Sequence, residues 1–275
     1  MALGDKREPL IEKKMREHQD ALADIDIDAD LDENEMLPSN KKLVFTIYGR
    51  KNDGKTTLTY GLLDDGDTAA VLSFDGKSTR PIDKIEGMDF LVNANIKIKV
   101  IDGTKYYNCT DNDLALLTSE KSYKRIAEIL KRYGDPSDEK AKINGKQPDW
   151  IIIDGTEAMK KIVETYMHKQ GGLPHISGVP THVWKYRAND LENIHTLSLR
   201  AATKGLIYTA YTDMKEIIDN NTVTARKEIP KWIGKMHDDT DVAIRAEADR
   251  DGKTGKYYAI IKGSKLQKSY PDGTY

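Results

Sequence analysis

The run Gly49-Arg50-Lys51-Asn52-Asp53-Gly54-Lys55-Thr56, with Thr57 behind it, has the G-x-x-x-x-G-K-[ST] spacing of a phosphate-binding loop. The chemistry explains the spacing. Gly49 and Gly54 permit backbone conformations that a Cβ would hinder. Successive N–H groups can then turn inward around an anion, at a helix N-terminus whose dipole favours it. Lys55 is long enough to reach the β- and γ-phosphates, and the Thr56 hydroxyl suits Mg²⁺. Arg50, Lys51, Asn52, Asp53 and Thr57 complete the nucleotide-binding run. ATP and Mg²⁺ are the cofactors these residues imply. A chance match in a glycine-rich turn is the competing reading, and the flanks argue against it. Leu43 to Tyr48 is a short apolar, β-branched run of the kind a buried strand needs, and Thr57 to Leu63 can start a helix.

An NTPase also needs a carboxylate to organise the metal. Asp154 ends the run Trp150-Ile151-Ile152-Ile153-Asp154, the form of a Walker B strand. A carboxylate at the tip of a buried strand is costly unless it serves a metal or a donor network. Asp75, after a second strand, and Glu157, three residues past Asp154, are the candidates to orient or deprotonate a water. Asp75 is preferred, although either could cap the element that follows it. Thr209 and Thr212, near the end of the strand through Ala210, are candidate γ-phosphate sensors, with ordinary strand-end polarity as the alternative. Trp184-Lys185-Tyr186-Arg187 interleaves cations with aromatics, which suits stacking on a single nucleic-acid strand with phosphate contacts from Lys185 and Arg187. A helix N-terminus anchoring Trp184 in the core explains the same run equally well. The histidines, including His168, His175 and His182, lack zinc-site spacing.

The elements that must hold these residues follow the alternation of an α/β sheet with crossovers. Strands are expected at 69–74, at 96–101 with the period-two pattern of a strand near an edge, at 150–153 and at 206–210. Helices are expected at about 121–133, 156–168 and 187–204. Gln170 to Pro180 reads as a long mobile loop. Asp251-Gly252 lies between two apolar runs, 241–245 and 257–261, and predicts a C-terminal β-hairpin.

Residues 1–40 differ from the rest. Pro9 to Ala23 suits one charged helix, and the block from Asp24 to Glu35 is densely acidic. Such a block reads as a flexible tail or a protein-docking segment. It also places acidic side chains at the ligand positions of a calcium loop, with Ala29 where the turn glycine belongs. The division expected is an acidic extension, 1–40, and an ATPase core, 41–275. The 275 residues carry a formal net charge of −2, so no global basic field advertises nucleic acid. Cys109, the single cysteine, excludes an internal disulfide and suits a reducing compartment. Without a long apolar stretch or a secretory signal, no membrane association and a cytoplasmic location are expected.

Taken together, these residues resemble the RecA superfamily of P-loop ATPases, and within it the small RecA-like ATPases of phages and archaeal mobile elements, some linked to single-strand annealing. The resemblance covers about Lys41 to Lys265. It rests on the loop at 49–56, Phe74-Asp75-Gly76-Lys77, Ile153-Asp154-Gly155-Thr156, Tyr211-Thr212, Pro230 to Lys235, Asp241-Val242 and Ile261 to Lys265. Relatives often carry a glutamate two residues after the second-strand aspartate, where this chain has Lys77. The resemblance implies a mainly parallel sheet flanked by helices and a homo-oligomer with active sites at subunit interfaces. It also implies a DNA path lined by the segments at about Gln170–Lys185 and Asp213–Lys231. Lys262, at the end of the run Tyr257–Ile261, is the candidate cation supplied across an interface.

Three functions fit. An ATP-dependent DNA-recombination, annealing or repair protein leads. An ATPase motor or switch acting on a protein partner, recruited by the acidic segment, is second. A small-molecule kinase is third, disfavoured because Arg187, Arg200, Arg226 and Arg245 are scattered rather than gathered in a lid.

Overall fold

A computed structural model of the chain describes residues 42–76, 78, 95–175, 178–219, 222–248, 257–265 and 273–274. The acidic extension, the calcium-loop reading, Lys77 and the Asp251-Gly252 turn lie outside the described residues.

Strand β1 (Leu43–Gly49) leads through the phosphate loop into helix α1 (Lys55–Gly61), and then come β2 (Thr68–Ser73) and β3 (Lys97–Asp102). Helix α2 (Asn112–Tyr133), β4 (Trp150–Asp154), α3 (Thr156–Gln170) and α4 (Trp184–Ala201) follow. The chain continues with β5 (Gly205–Asp219), β6 (Thr222–Pro230), the one-turn helix α5 (Met236–Asp239), β7 (Val242–Ala248), β8 (Tyr257–Ser264) and β9 (Gly273–Thr274). The sheet order is β3-β2-β4-β5-β1-β7-β8-β9, with β6 paired to β5 off this path. All pairings from β3 through β7 are parallel, and β7–β8 and β8–β9 are antiparallel. The fold is therefore of the expected P-loop α/β class, a mainly parallel sheet flanked by helices and ending in a β7–β8 hairpin.

Strands covered on both faces read as unbroken apolar runs, and the pleat then divides them between two cores. Val44, Leu72, Ile151, Ile153 and Leu206 face a cluster that includes Ile126 of α2, Ile162 of α3 and Ile194 of α4. Phe45, Ile47, Val71, Ile152 and Ile207 face the other side, with Tyr60 of α1 and Ile261 of β8. Strand β3 takes the sheet edge, as its alternation predicts, with Lys97 and Lys99 exposed.

At the N-terminal end of the sheet, Asp149 is a buried tie. Its carboxylate accepts from the Thr68 N–H at 2.8 Å, the Thr68 hydroxyl at 3.0 Å and the Thr203 hydroxyl at 2.9 Å. Burial raises the pKa of this carboxyl, but Lys146 and the Thr68 and Thr203 donors outweigh burial and hold it below the usual value. The aspartate thus joins β2 to the α4–β5 turn and fixes where both strands start.

Strand β5 corrects the expectation that it stops near Ala210. It pairs with β4 as far as Thr209 and with β1 as far as Tyr211, then leaves the sheet and pairs with β6 from Thr212 to Asp219. The segment expected as a loop from Asp213 to Lys231 is mostly this two-stranded ribbon.

Candidate functional site

The phosphate loop joins the buried end of β1 to α1, and two glycines make the connection feasible. Gly54 lies at φ 78° and Asn52 at φ 69°, the left-handed region. Gly49 is required for a different reason. A Cβ there would sit 2.5 Å from the carbonyl oxygen of Ala246 on β7 and 3.3 Å from Asp53. The Asp53 carboxylate accepts from the Arg50 N–H at 2.7 Å and closes the loop from within. The first N–H groups of α1 have no partners inside the helix and face the loop.

Lys55 donates to the carbonyls of Gly49 at 3.1 Å and Arg50 at 2.9 Å, and its Nζ lies 4.5 Å from the centroid of the Tyr211 ring. Burial lowers its pKa from the ordinary lysine value, opposed by the charges of Asp53, Glu157, Asp154 and Asp75.

Asp154 ends β4 one strand away from β1, because β5 runs between them. Its carboxylate accepts from three hydroxyls: Thr56 at 3.2 Å, Ser78 at 2.6 Å and Thr209. Desolvation pushes its pKa up. The Ser78 and Thr209 donors oppose the rise and the charge of Asp75 adds to it. Ser78 is itself held through its carbonyl, which accepts from the buried Tyr60 hydroxyl at 2.8 Å. The Thr209 oxygen also accepts from the Gly155 N–H at 3.0 Å, so one side chain ties the start of α3 to Asp154.

Lys55, Thr56, Asp154 and Thr209 line one cavity of about 180 Å³. Of the residues singled out from the sequence, the structure brings together Lys51, Asn52, Gly54, Lys55, Thr56 and Thr57. Asp154, Asp75, Glu157 and Thr209 line the same space. Asp75 is exposed at its rim, and its backbone packs against Gly155, where a Cβ would meet the Asp75 nitrogen at 3.3 Å. Glu157 is committed on one side, since its Oε1 accepts from the Tyr211 N–H at 2.7 Å. Its Oε2 is buried and makes no hydrogen bond. The donors around Thr56 and Asp154 are hydroxyl and carboxylate oxygens. That set fits Mg²⁺, which takes one or two protein oxygens and keeps the rest for phosphate and water.

Thr212, Lys185, Arg187 and Lys262 do not line this cavity. Lys262 is exposed on β8. Helix α4 begins at Trp184, and Trp184 is 42% exposed, so the reading that anchors it in the core is overturned. The Arg187 guanidinium lies 5.5 Å from the Trp184 ring centroid and also pairs with Glu164 at 3.1 Å, and the Lys185 ammonium lies 5.4 Å from the Tyr186 ring.

Sequence reasoning missed two participants, Ser78 and Glu228, and gave Tyr211 as part of a strand-end motif without its contact to Lys55. Ser78 belongs to no motif. Tyr211 stands beside Gly49 only because of the β1–β5 register. Glu228 of the ribbon receives Arg50 from the phosphate loop and Arg245 from β7, the latter at 2.9 Å. A lone aromatic or acid carries no signal for such contacts until the register is known.

The chain belongs to the AAA_24 family, described as an AAA domain, whose match spans residues 41–268. It is a P-loop ATPase domain of that family. Two solved structures are similar at low identity. One is the flagellar accessory protein FlaH from Methanocaldococcus jannaschii, at 13% identity and a TM-score of 0.40, over 84% of this chain and 83% of that one. The other is the KaiC-like protein PH0186 from Pyrococcus horikoshii OT3, at 12% identity and a TM-score of 0.37, over 84% and 88%. No curated protein matches the chain. No helix among the described residues is long and apolar enough to cross a membrane.

Proposed function

We propose that this protein is a Mg²⁺-dependent ATPase that acts on single-stranded DNA in recombination, annealing or repair, as a homo-oligomer with active sites between subunits. The observation that carries the ATPase reading is the meeting of Lys55, Thr56 and Asp154 in one cavity, with the Thr56 hydroxyl already on the Asp154 carboxylate. In this reading Lys55 exchanges its two carbonyl acceptors for β- and γ-phosphate oxygens. Thr56 and Asp154 hold Mg²⁺, which offsets charge on the phosphates when bound. Asp75, at the open rim, orients or deprotonates the attacking water, and Glu157 fixes the position of Tyr211. The water oxygen bonds to the γ-phosphorus as the bridge to the β-phosphate breaks, giving ADP and phosphate.

The DNA part is supported by the exposed Trp184 and the cation–aromatic pairs of α4, the combination that stacks bases and meets phosphates. The 1–40 extension is proposed as a separate docking segment, so removing residues 1–38 should spare ATP binding.

ATP turnover measured with and without an unstructured oligonucleotide tests the reading. Stimulation by DNA supports it. Turnover indifferent to DNA favours a motor or switch acting on a protein partner, and phosphate transfer to a metabolite favours a kinase. Lys55→Ala should lower turnover by roughly 10²-fold or more while the fold survives. Wild-type turnover in that variant removes the site assignment.

A further inference from the structure

On the side of the sheet where β3 forms the edge, β3 and α2 border a second cavity, of about 200 Å³, which shares no lining residue with the phosphate site. Four cations from three elements ring it: Lys99 of β3, Arg125 and Arg132 of α2, and Lys140 of the short turn after α2. Ile101 and Ile129 contribute apolar lining, and no acidic side chain among the described residues lines it. Asp138 holds Arg132 through two bonds, at 2.6 and 3.2 Å.

Lysines on an edge strand often serve only to block sheet-to-sheet pairing. That explains Lys97 and Lys99 but not the arrangement around Arg125. Its Nη1 donates to the Asp102 carbonyl at 2.7 Å, which fixes the guanidinium between the cavity and the ring of Tyr106, 5.8 Å away. Tyr106 is 45% exposed, and the Lys105 ammonium lies 5.6 Å from its centroid. One guanidinium thus belongs both to a cationic cavity with apolar lining and to an exposed aromatic face.

We propose that the β3–α2 cavity and Tyr106 form a second single-strand contact, in which Lys99, Arg125 and Lys140 meet backbone phosphates and Tyr106 stacks a neighbouring base. The proposal rests on the single-stranded DNA reading above and places a contact apart from the α4 aromatics and from the ribbon.

The test is fluorescence anisotropy of a fluorescein-labelled oligo-dT against the full chain across a KCl series. Lys99→Ala with Lys140→Ala should weaken binding and make the slope of log K against log salt shallower by about 1.4, at roughly 0.7 for each phosphate no longer neutralised. Tyr106→Ala should weaken it about tenfold with the slope unchanged, as removal of one stacked base does. Both proteins should keep wild-type DNA-independent ATP turnover, since none of these residues touches the phosphate cavity. Wild-type affinity and slope in both variants, while Lys185→Ala with Arg187→Ala loses binding, overturns this site and leaves the DNA reading standing. Failure of the wild-type chain to bind the oligonucleotide, with or without ATP, overturns both.

Discussion

Arg50 in the phosphate loop donates to Glu228 on β6, a residue 178 positions further along the chain. Arg245 of β7 shares the same carboxylate, and Tyr211 at the root of the ribbon lies over Lys55. The ribbon is thereby attached to the phosphate loop at two places.

Glu228→Gln removes one of those attachments while leaving the backbone pairing of β5 with β6. The Arg50 pair is exposed and such pairs stabilise little, and Arg245 keeps Glu247 as a partner, so the melting temperature should hardly move. Local opening is another matter, because a two-stranded ribbon depends on what pins it. Amide exchange over 212–230 should quicken several-fold while the β1, β4 and β7 amides stay as they were. Unchanged exchange in the ribbon would show that strand pairing alone secures it.

Asp154 sets function against stability. Burial raises the pKa of this carboxyl above its ordinary 3.8. Below about pH 3.8 the folded and unfolded states are both protonated and ionisation costs nothing. As pH rises through the raised folded value, the unfolded chain ionises more readily, and the full cost then persists at neutral pH. Asp154→Asn removes it. The variant should lose ATP turnover yet unfold at higher denaturant than wild type near pH 7, with the advantage disappearing in acid. Equal midpoints at pH 7 would mean that the three hydroxyl donors already compensate for burial.

Much of this was readable in the sequence because local pattern and tertiary need agree. The runs 43–48 and 150–153 are apolar since both faces are covered, and 96–101 alternates since it lies at the edge. The ribbon was not readable. From Thr212 to Glu216 the sequence mixes Thr, Asp, Lys and Glu with Met, because that stretch has left the main sheet and pairs with β6. Within the site, Lys55, Thr56 and Asp154 announce themselves through spacing. Ser78 reaches the Asp154 carboxylate, and Tyr211 the Lys55 ammonium, only through the fold, and Asp149, a residue of the same type as Asp154 and five positions before it, ties the opposite end of the sheet.

Gly49 separates a packing requirement from a chemical one. Its added Cβ would strike the Ala246 carbonyl, which is backbone and cannot swing aside. Gly49→Ala should cost roughly 1–3 kcal/mol, as overpacking does, and appear as a lower urea midpoint without nucleotide. A wild-type midpoint would show that β7 yields at no cost and that any functional loss arises in the loop alone.

Lys262 tests whether the site is completed by a neighbour. It is exposed on β8 and absent from the lining of its own chain's cavity. If it contributes, it does so across an interface, where a cation can stabilise charge developing on the transferred phosphoryl group. Such a contribution reaches about 10³-fold in rate. Lys262→Ala should then bind ATP normally and lose hydrolysis. Mixed with Lys55→Ala, it should regain part of the activity, because some interfaces pair an intact loop from one subunit with an intact lysine from the next. A solvated surface lysine behaves otherwise. Full turnover by Lys262→Ala alone eliminates it as the donor. An inactive variant that Lys55→Ala fails to rescue places its effect within its own subunit.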